Sequence, residues 1–92
     1  MTTPVRQNPA LARFELDLDG VTAVADYRFA NGVMTFTHTE VPQQLRGRGA
    51  GSQLLKGALD AARSQGVKII PRCSFVRAYI EQHPEFQDLL AV

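Results

Sequence analysis

The sequence predicts a mixed α/β domain: three antiparallel strands, then a strand–loop–helix–strand crossover to a parallel fourth strand that splays from the third, with short helices at the C-terminal end. Three observations carry this prediction. Between Phe14 and Val41 apolar residues recur with period two in three runs, separated by Asp19-Gly20 and Asn31-Gly32, the pattern of strands joined by tight hairpin turns. From about Gly49 to Gln65 the period changes, and Leu54, Leu55, Ala58, Leu59 and Ala62 form one helical stripe. A β-branched run around Lys68 follows, and a strand reached through a helix returns right-handed and parallel to its predecessor.

Residues 1–10 contain Pro4 and Pro9 and no periodicity, so they read as a mobile tail before a single domain over 11–92. Residues 14–19 alternate Phe-Glu-Leu-Asp-Leu-Asp, which predicts a strand with one buried and one wet face. In the second strand, 21–29, Val21, Ala23, Ala25, Tyr27 and Phe29 share a face. In the third, 33–41, period two puts Met34, Phe36, His38 and Glu40 together, an apolar face that becomes ionisable at its C-terminal end. Pro42 cannot donate to a ladder and should end that strand or splay its neighbour.

The helix is expected to end at a Gly66 cap. Gly57 inside it costs roughly 1 kcal/mol relative to alanine, which implies close packing of that turn against the sheet or a ligand. Residues 67–70 read as a buried strand ending at Pro71. Ser74 is placed to cap a second helix with Phe75, Val76, Tyr79 and Ile80 inward. His83-Pro84 ends it, and a last short helix turns Phe86, Leu89 and Leu90 inward.

With 92 residues, 45% hydrophobic and 21% charged, the chain has room for one core and one site. No apolar run approaches the ~18 residues of a membrane span, and the N-terminus lacks a signal-peptide layout. The expectation is no membrane association and a cytoplasmic location. Cys73 is the only cysteine, so an internal disulfide and a cysteine-based zinc site are excluded and no metal is expected. The net charge of +1 hides an asymmetry. Positions 46–77 hold Arg46, Arg48, Lys56, Arg63, Lys68, Arg72 and Arg77 against Asp60 alone, which suits a polyanionic ligand. Nucleic acid is not the expected partner, because the aromatic residues fall at core-periodic positions rather than among the basic ones.

The charge surrounds Gln44-Leu45-Arg46-Gly47-Arg48-Gly49-Ala50-Gly51-Ser52. Glycine-rich backbone entering a helix N-terminus can cradle a phosphate on unpaired amides, or it can be only a tight strand-to-helix turn. The dinucleotide fingerprint fails, since Ser52 stands where its third glycine belongs and Ile69-Ile70-Pro71-Arg72 lacks the ribose-binding acid. A P-loop fails too, for want of Gly-Lys-Ser/Thr at the required gap.

A third pattern fits. Gln/Arg-x-x-Gly-x-Gly/Ala at a strand-to-helix junction is the acetyl-coenzyme A signature of the GNAT superfamily of N-acetyltransferases, and Gln44-x-x-Gly47-x-Gly49 matches it. The flanking segments His38-Thr39-Glu40-Val41-Pro42, Ile70-Pro71-Arg72-Cys73-Ser74-Phe75-Val76 and His83-Pro84-Glu85-Phe86 resemble the small single-domain branch of that superfamily, over about residues 14–90. The resemblance implies a minimal GNAT fold. It also implies coenzyme A pyrophosphate on the amides of Arg46, Gly47, Arg48, Gly49, Ala50, Gly51 and Ser52, a pantetheine arm between two splayed parallel strands, and the Val41 amide on the thioester carbonyl.

The reaction so implied is attack of a neutral amine on the acetyl thioester, which needs a base and an acid. Glu40 is the leading base and His38 the second candidate; a pairing of Glu40 with a loop arginine, with His38 bonded at the sheet surface, is the structural alternative. Cys73, between a strand end and a helix start and close in sequence to Arg72 and Arg77, can be an acyl-accepting nucleophile, the acid for the departing thiol, or an inert buried thiol. Tyr79 does not match the spacing of the acid tyrosine of larger relatives and reads as core. The chain enters its sheet without the N-terminal helix pair that helps build an acceptor pocket in typical members. An open site is expected, suited to a protein lysine, a terminal amine or a completing partner subunit. The other functional classes are a non-catalytic acyl-coenzyme A-binding module and a scaffold that retains only the fold.

Overall fold

A computed structural model describes residues 5–91. Strands β1 (Val5–Asn8), β2 (Arg13–Leu18), β3 (Val21–Ala30), β4 (Val33–Glu40) and β5 (Lys68–Pro71) form one sheet in chain order. The first four are antiparallel and β5 runs parallel to β4. Helices α1 (Ala50–Gln65) and α2 (Ser74–Gln82) pack on one face, with 3-10 segments at Gln43–Leu45 and Pro84–Leu89. Phe14, Leu16, Ala23, Ala25, Met34, Phe36 and Ile69 meet the α1 stripe, Val76, Ile80, Phe86 and Leu89 in one buried cluster. The Asp19-Gly20 and Asn31-Gly32 hairpins have positive φ at both positions, as the type I′ turn requires.

Residues 5–8 correct the expectation of a tail over 1–10. They form edge strand β1, with Val5 opposite Leu16 and Asn8 opposite Arg13. A short edge strand held by backbone bonds needs no apolar period, so the pattern did not disclose it. Residues 1–4 of that tail lie outside the described residues.

Strand β1 also explains Gly57. A Cβ built there would stand 2.6 Å from Cβ of Val5, so the helix turn packs directly against the edge strand. Gly57→Ala is therefore expected to lose about 1–3 kcal/mol through overpacking, against the roughly 1 kcal/mol that alanine contributes in an open helix. Denaturant unfolding reads the sign, and a gain in stability would refute the contact.

The alternating face of β2 is not wholly wet. Glu15 is buried, with Arg6 2.7 Å and Arg13 2.6 Å from its carboxylate. The Arg13 hydrogen bond lowers its pKa against the opposing effect of burial, with Asn8 and Arg6 assisting. Two inward expectations also fail. Phe29 is 56% exposed, at a rim beside Gln65, the last residue of α1. Phe75 is 44% exposed and turns to the N-terminus of α1 rather than into the core. Ser74 is the first residue of α2, whose N-cap is Cys73 with no side-chain cap bond.

The largest departure lies in β4. Phe36 is opposite Tyr27 but His38 is opposite Asp26, so Thr37 is an extra residue forming a bulge. Alternation restarts out of phase beyond it. His38 and Glu40 join the outward face of Asp26 and Val24, while Thr39, opposite buried Ala25, turns to the helix side. The single apolar-to-ionisable face expected for Met34, Phe36, His38 and Glu40 is thus two faces.

Candidate functional site

The parallel ladder ends where β4 and β5 part. Phe36 is opposite Pro71, and the Phe36 carbonyl accepts the amides of both Arg72 and Cys73 at 3.0 Å. The chain then turns into α2 while β4 continues to Glu40. Pro71 and Pro42 stand at the two strand ends, as their missing N–H groups predicted.

Beyond the parting lies an open cleft of about 460 Å³, lined by Thr39 and Val41 of the strand end, the loop residues Leu45–Gly47 and Gly49–Ser52, and Phe75 of α2. Leu45 is fully buried and anchors the loop to the core. Gly47 and Gly49 have φ of 80° and 76°, backbone that only glycine adopts at little cost. Gly49 is the N-cap of α1 and contributes no side-chain cap, and the first turn of α1 has no acidic residue. The first intrahelical bond is Gln53 N–H to the Gly49 carbonyl, 3.0 Å. The amides of Ala50, Gly51 and Ser52 therefore precede the helix ladder, with the positive end of the helix dipole behind them. This arrangement fits a pyrophosphate: amide donors and dipole charge, with no carboxylate in that first turn.

The loop arginines behave differently from each other. Arg46 lines the cleft and its Nε donates to the Val41 carbonyl at 3.2 Å. Arg48 pairs with Asp19 of the β2–β3 turn and tethers the loop instead of lining the cleft. Gln44 lies in the Gln43–Leu45 segment outside the cleft lining. Much of the remaining positive excess is paired elsewhere, Arg63 with Asp88 at 2.7 Å and Lys56 with Asp60 at 2.9 Å. Phe75 rests on Gly51, where a Cβ would come within 2.6 Å of the ring.

Cys73 adjoins the cleft through Thr39, with Sγ 3.6 Å from Oγ1. Burial pushes the Cys73 thiol up, but the Thr39 hydroxyl and the Val76 and Phe75 amides at the start of α2 outweigh it and bring the thiol below the ordinary cysteine value. Thr39 was not singled out from sequence; only the bulge brings it to the cleft. His38 and Glu40 lie on the other side of the sheet, 3.6 Å apart, with side chains 60% and 70% exposed. Tyr79 is buried, stacked 3.9 Å from the His83 ring, and burial raises its phenol, in keeping with a core role. Among the described residues no cluster of His, Cys, Asp or Glu can hold a metal ion, and no helix is long and apolar enough to cross a membrane.

Comparison with known proteins agrees with this geometry. Residues 13–89 match the GCN5-related N-acetyl-transferase family. Protein NATD1 of Mus musculus is 32% identical over 75 residues, covering 78% of this chain and 68% of that protein. The Homo sapiens NATD1 is 35% identical over 52 residues, 56% of this chain and 46% of the relative. The solution structure of a GCN5-like protein from Staphylococcus aureus superimposes with a TM-score of 0.73 at 32% identity, covering 98% of this chain and 90% of that one. The match spans nearly the whole described sheet, the loop and both helices, and the chain belongs to the GCN5-related N-acetyltransferase family.

Proposed function

We propose that this chain is an acetyl-coenzyme A-dependent N-acetyltransferase acting on an amine carried by a protein or peptide. The observation that carries the reading is the meeting, in one cleft at the β4–β5 parting, of the uncapped first-turn amides of α1 with the Thr39–Cys73 pair.

The amides of Arg46 and Arg48 already donate to the Gln43 and Leu45 carbonyls, so the amides of Gly47 and Gly49–Ser52 and the Arg46 guanidinium would hold the pyrophosphate, and the Val41 amide would polarise the thioester carbonyl. Coenzyme A when bound supplies the acetyl thioester. Arg48 positions the loop through Asp19. Net transfer forms a C–N bond and breaks the acetyl C–S bond, the amine losing one proton and the departing thiolate gaining one. Cys73, held low by Thr39 and the α2 amides, is ionised more readily than an ordinary cysteine, which favours acyl acceptance over proton donation. Glu40 and His38, outward on the bulged strand end, take the proton of an ammonium arriving from that face, directly or through water. A thiol in this role stays reduced in the cytoplasm, where we place the reaction.

The outward turn of His38 and Glu40 is also what favours a second reading, a non-catalytic acyl-coenzyme A-binding module. Calorimetric titration with acetyl-coenzyme A, beside NAD and ATP, combined with intact-mass spectrometry after incubation separates the two. Selective binding with an acetyl adduct on Cys73 that is discharged by an amine supports the enzyme. Binding with neither adduct nor coenzyme A release in the presence of a peptide amine leaves the binding module, and no binding sinks both.

A further inference from the structure

Both helices and the 3-10 segments cover one face of the sheet. The opposite face divides in two. On its β1–β2 half Arg6, Arg13, Glu15 and Asp17 neutralise one another in close pairs. The β3–β5 half carries a groove of about 640 Å³ whose lining includes Arg28, Thr35, Thr37, Ile70 and Arg72. Arg28 on β3 and Arg72 just after β5 flank the β4 hydroxyls, and among the described residues neither enters an ion pair. Ile70, 37% exposed, provides an apolar floor between them.

The bulge in β4 makes this groove continuous with the His38–Glu40 end of the same face. Arg28 is opposite Thr35, Asp26 opposite His38 and Val24 opposite Glu40. The face therefore runs from Arg28, level with Thr35, to Glu40, level with Val24, with Arg72 beside Thr37 and Asp26 beside His38 between those ends. On β3 the two ends are four residues apart, about 13 Å at the strand rise.

We propose that this groove binds an extended acidic peptide, with peptide carboxylates on Arg28 and Arg72 and the peptide's amine at Glu40 and His38. The span decides for a peptide over a small amino acid: about 13 Å is the reach of roughly four extended residues. Two unpaired guanidiniums decide for carboxylates, which they can engage in bidentate fashion. Thr35 and Thr37 supply hydroxyls between them, and the flat, open face suits a backbone laid along it. The assignment of the amine rests on the acetyl-transfer reading; the carboxylate site does not.

The test is fluorescence anisotropy with the full chain and two labelled, end-blocked peptides. Each has one central lysine, with aspartate in one peptide and asparagine in the other at three and four residues to either side. The aspartate peptide is expected to bind roughly ten-fold more tightly, with a preference that weakens in salt. In the Arg28→Gln/Arg72→Gln double variant the ratio between the peptides should fall toward one, and Arg28→Glu/Arg72→Glu should favour a peptide with lysines in place of the aspartates. Both positions are solvent-exposed, and circular dichroism checks that the variants fold. Equal binding of the two peptides, a preference that survives the double substitution, or tighter binding of a single-stranded oligonucleotide overturns the proposal. None of these readouts needs turnover, so a failure of acetyl-coenzyme A binding in the calorimetric experiment is a separate result that sinks both coenzyme A readings and leaves the carboxylate site standing.

Discussion

Gly49→Val is expected to lower coenzyme A affinity by about thirty-fold or more while the domain stays folded. Gly49 holds φ at 76° as the N-cap of α1, and a β-branched residue there costs about 1–2 kcal/mol or forces the loop to another path. Either outcome displaces the amides of Ala50, Gly51 and Ser52. Loss of one charge-assisted hydrogen bond to phosphate is worth about 2 kcal/mol, and that is roughly thirty-fold in the dissociation constant. Gly66 is the internal control, because it has φ of 72° at the other end of the same helix. Gly66→Val should carry a similar stability cost and leave affinity within about two-fold, since it lies away from the cleft. Denaturant unfolding and calorimetry on both variants separate the backbone penalty from the ligand penalty. Equal affinities would show that the loop is a turn and nothing more.

Cys73→Ala should reduce acetyl transfer by about 10²- to 10⁴-fold, the range for loss of a group engaged in the chemical step, with coenzyme A affinity retained. The pH dependence gives a sharper view. Because hydrogen bonds from Thr39 and the α2 amides outweigh burial, the thiolate is present at lower pH than for an ordinary cysteine. Alkylation of Cys73 by iodoacetamide should therefore inflect at lower pH than that of a free-cysteine control, and transfer should decline as pH falls through the same inflection. Thr39→Val removes the bond to Sγ and should move the inflection upward, with a smaller loss of rate than Cys73→Ala. An alkylation profile identical to that of free cysteine, or full transfer by Cys73→Ala, would leave Cys73 a small packing residue.

The contrast between Thr39 and its neighbours shows where the sequence stopped being legible. Period two predicted His38 and Glu40 on the face of Phe36, and that reasoning was sound for an unbroken strand. One unpaired residue at Thr37 inverts the phase, and nothing in the side-chain pattern announces it, because a bulge is set by which backbone groups pair across strands. For the same reason Thr39 passed as an ordinary strand residue, and Arg28 and Arg72 gained a common groove only when β3, β4 and β5 lay side by side. Arg48 likewise could not be separated from Arg46 in the loop; Asp19, distant in sequence, draws it away.

What the sequence by itself determined was local: the three period-two runs and their turns, the helical stripe ending at Gly66, the glycine loop at the strand-to-helix junction, and the parallel return of the last strand. These follow from backbone propensity and from hydrophobic spacing within some fifteen residues. The tertiary structure alone decided the edge strand at residues 5–8, the burial of Glu15 beneath two arginines, the seat of Phe75 on Gly51 and the face to which each end of β4 turns. Those outcomes depend on hydrogen bonds and contacts between segments far apart in the chain, and such bonds leave no period in the sequence to read.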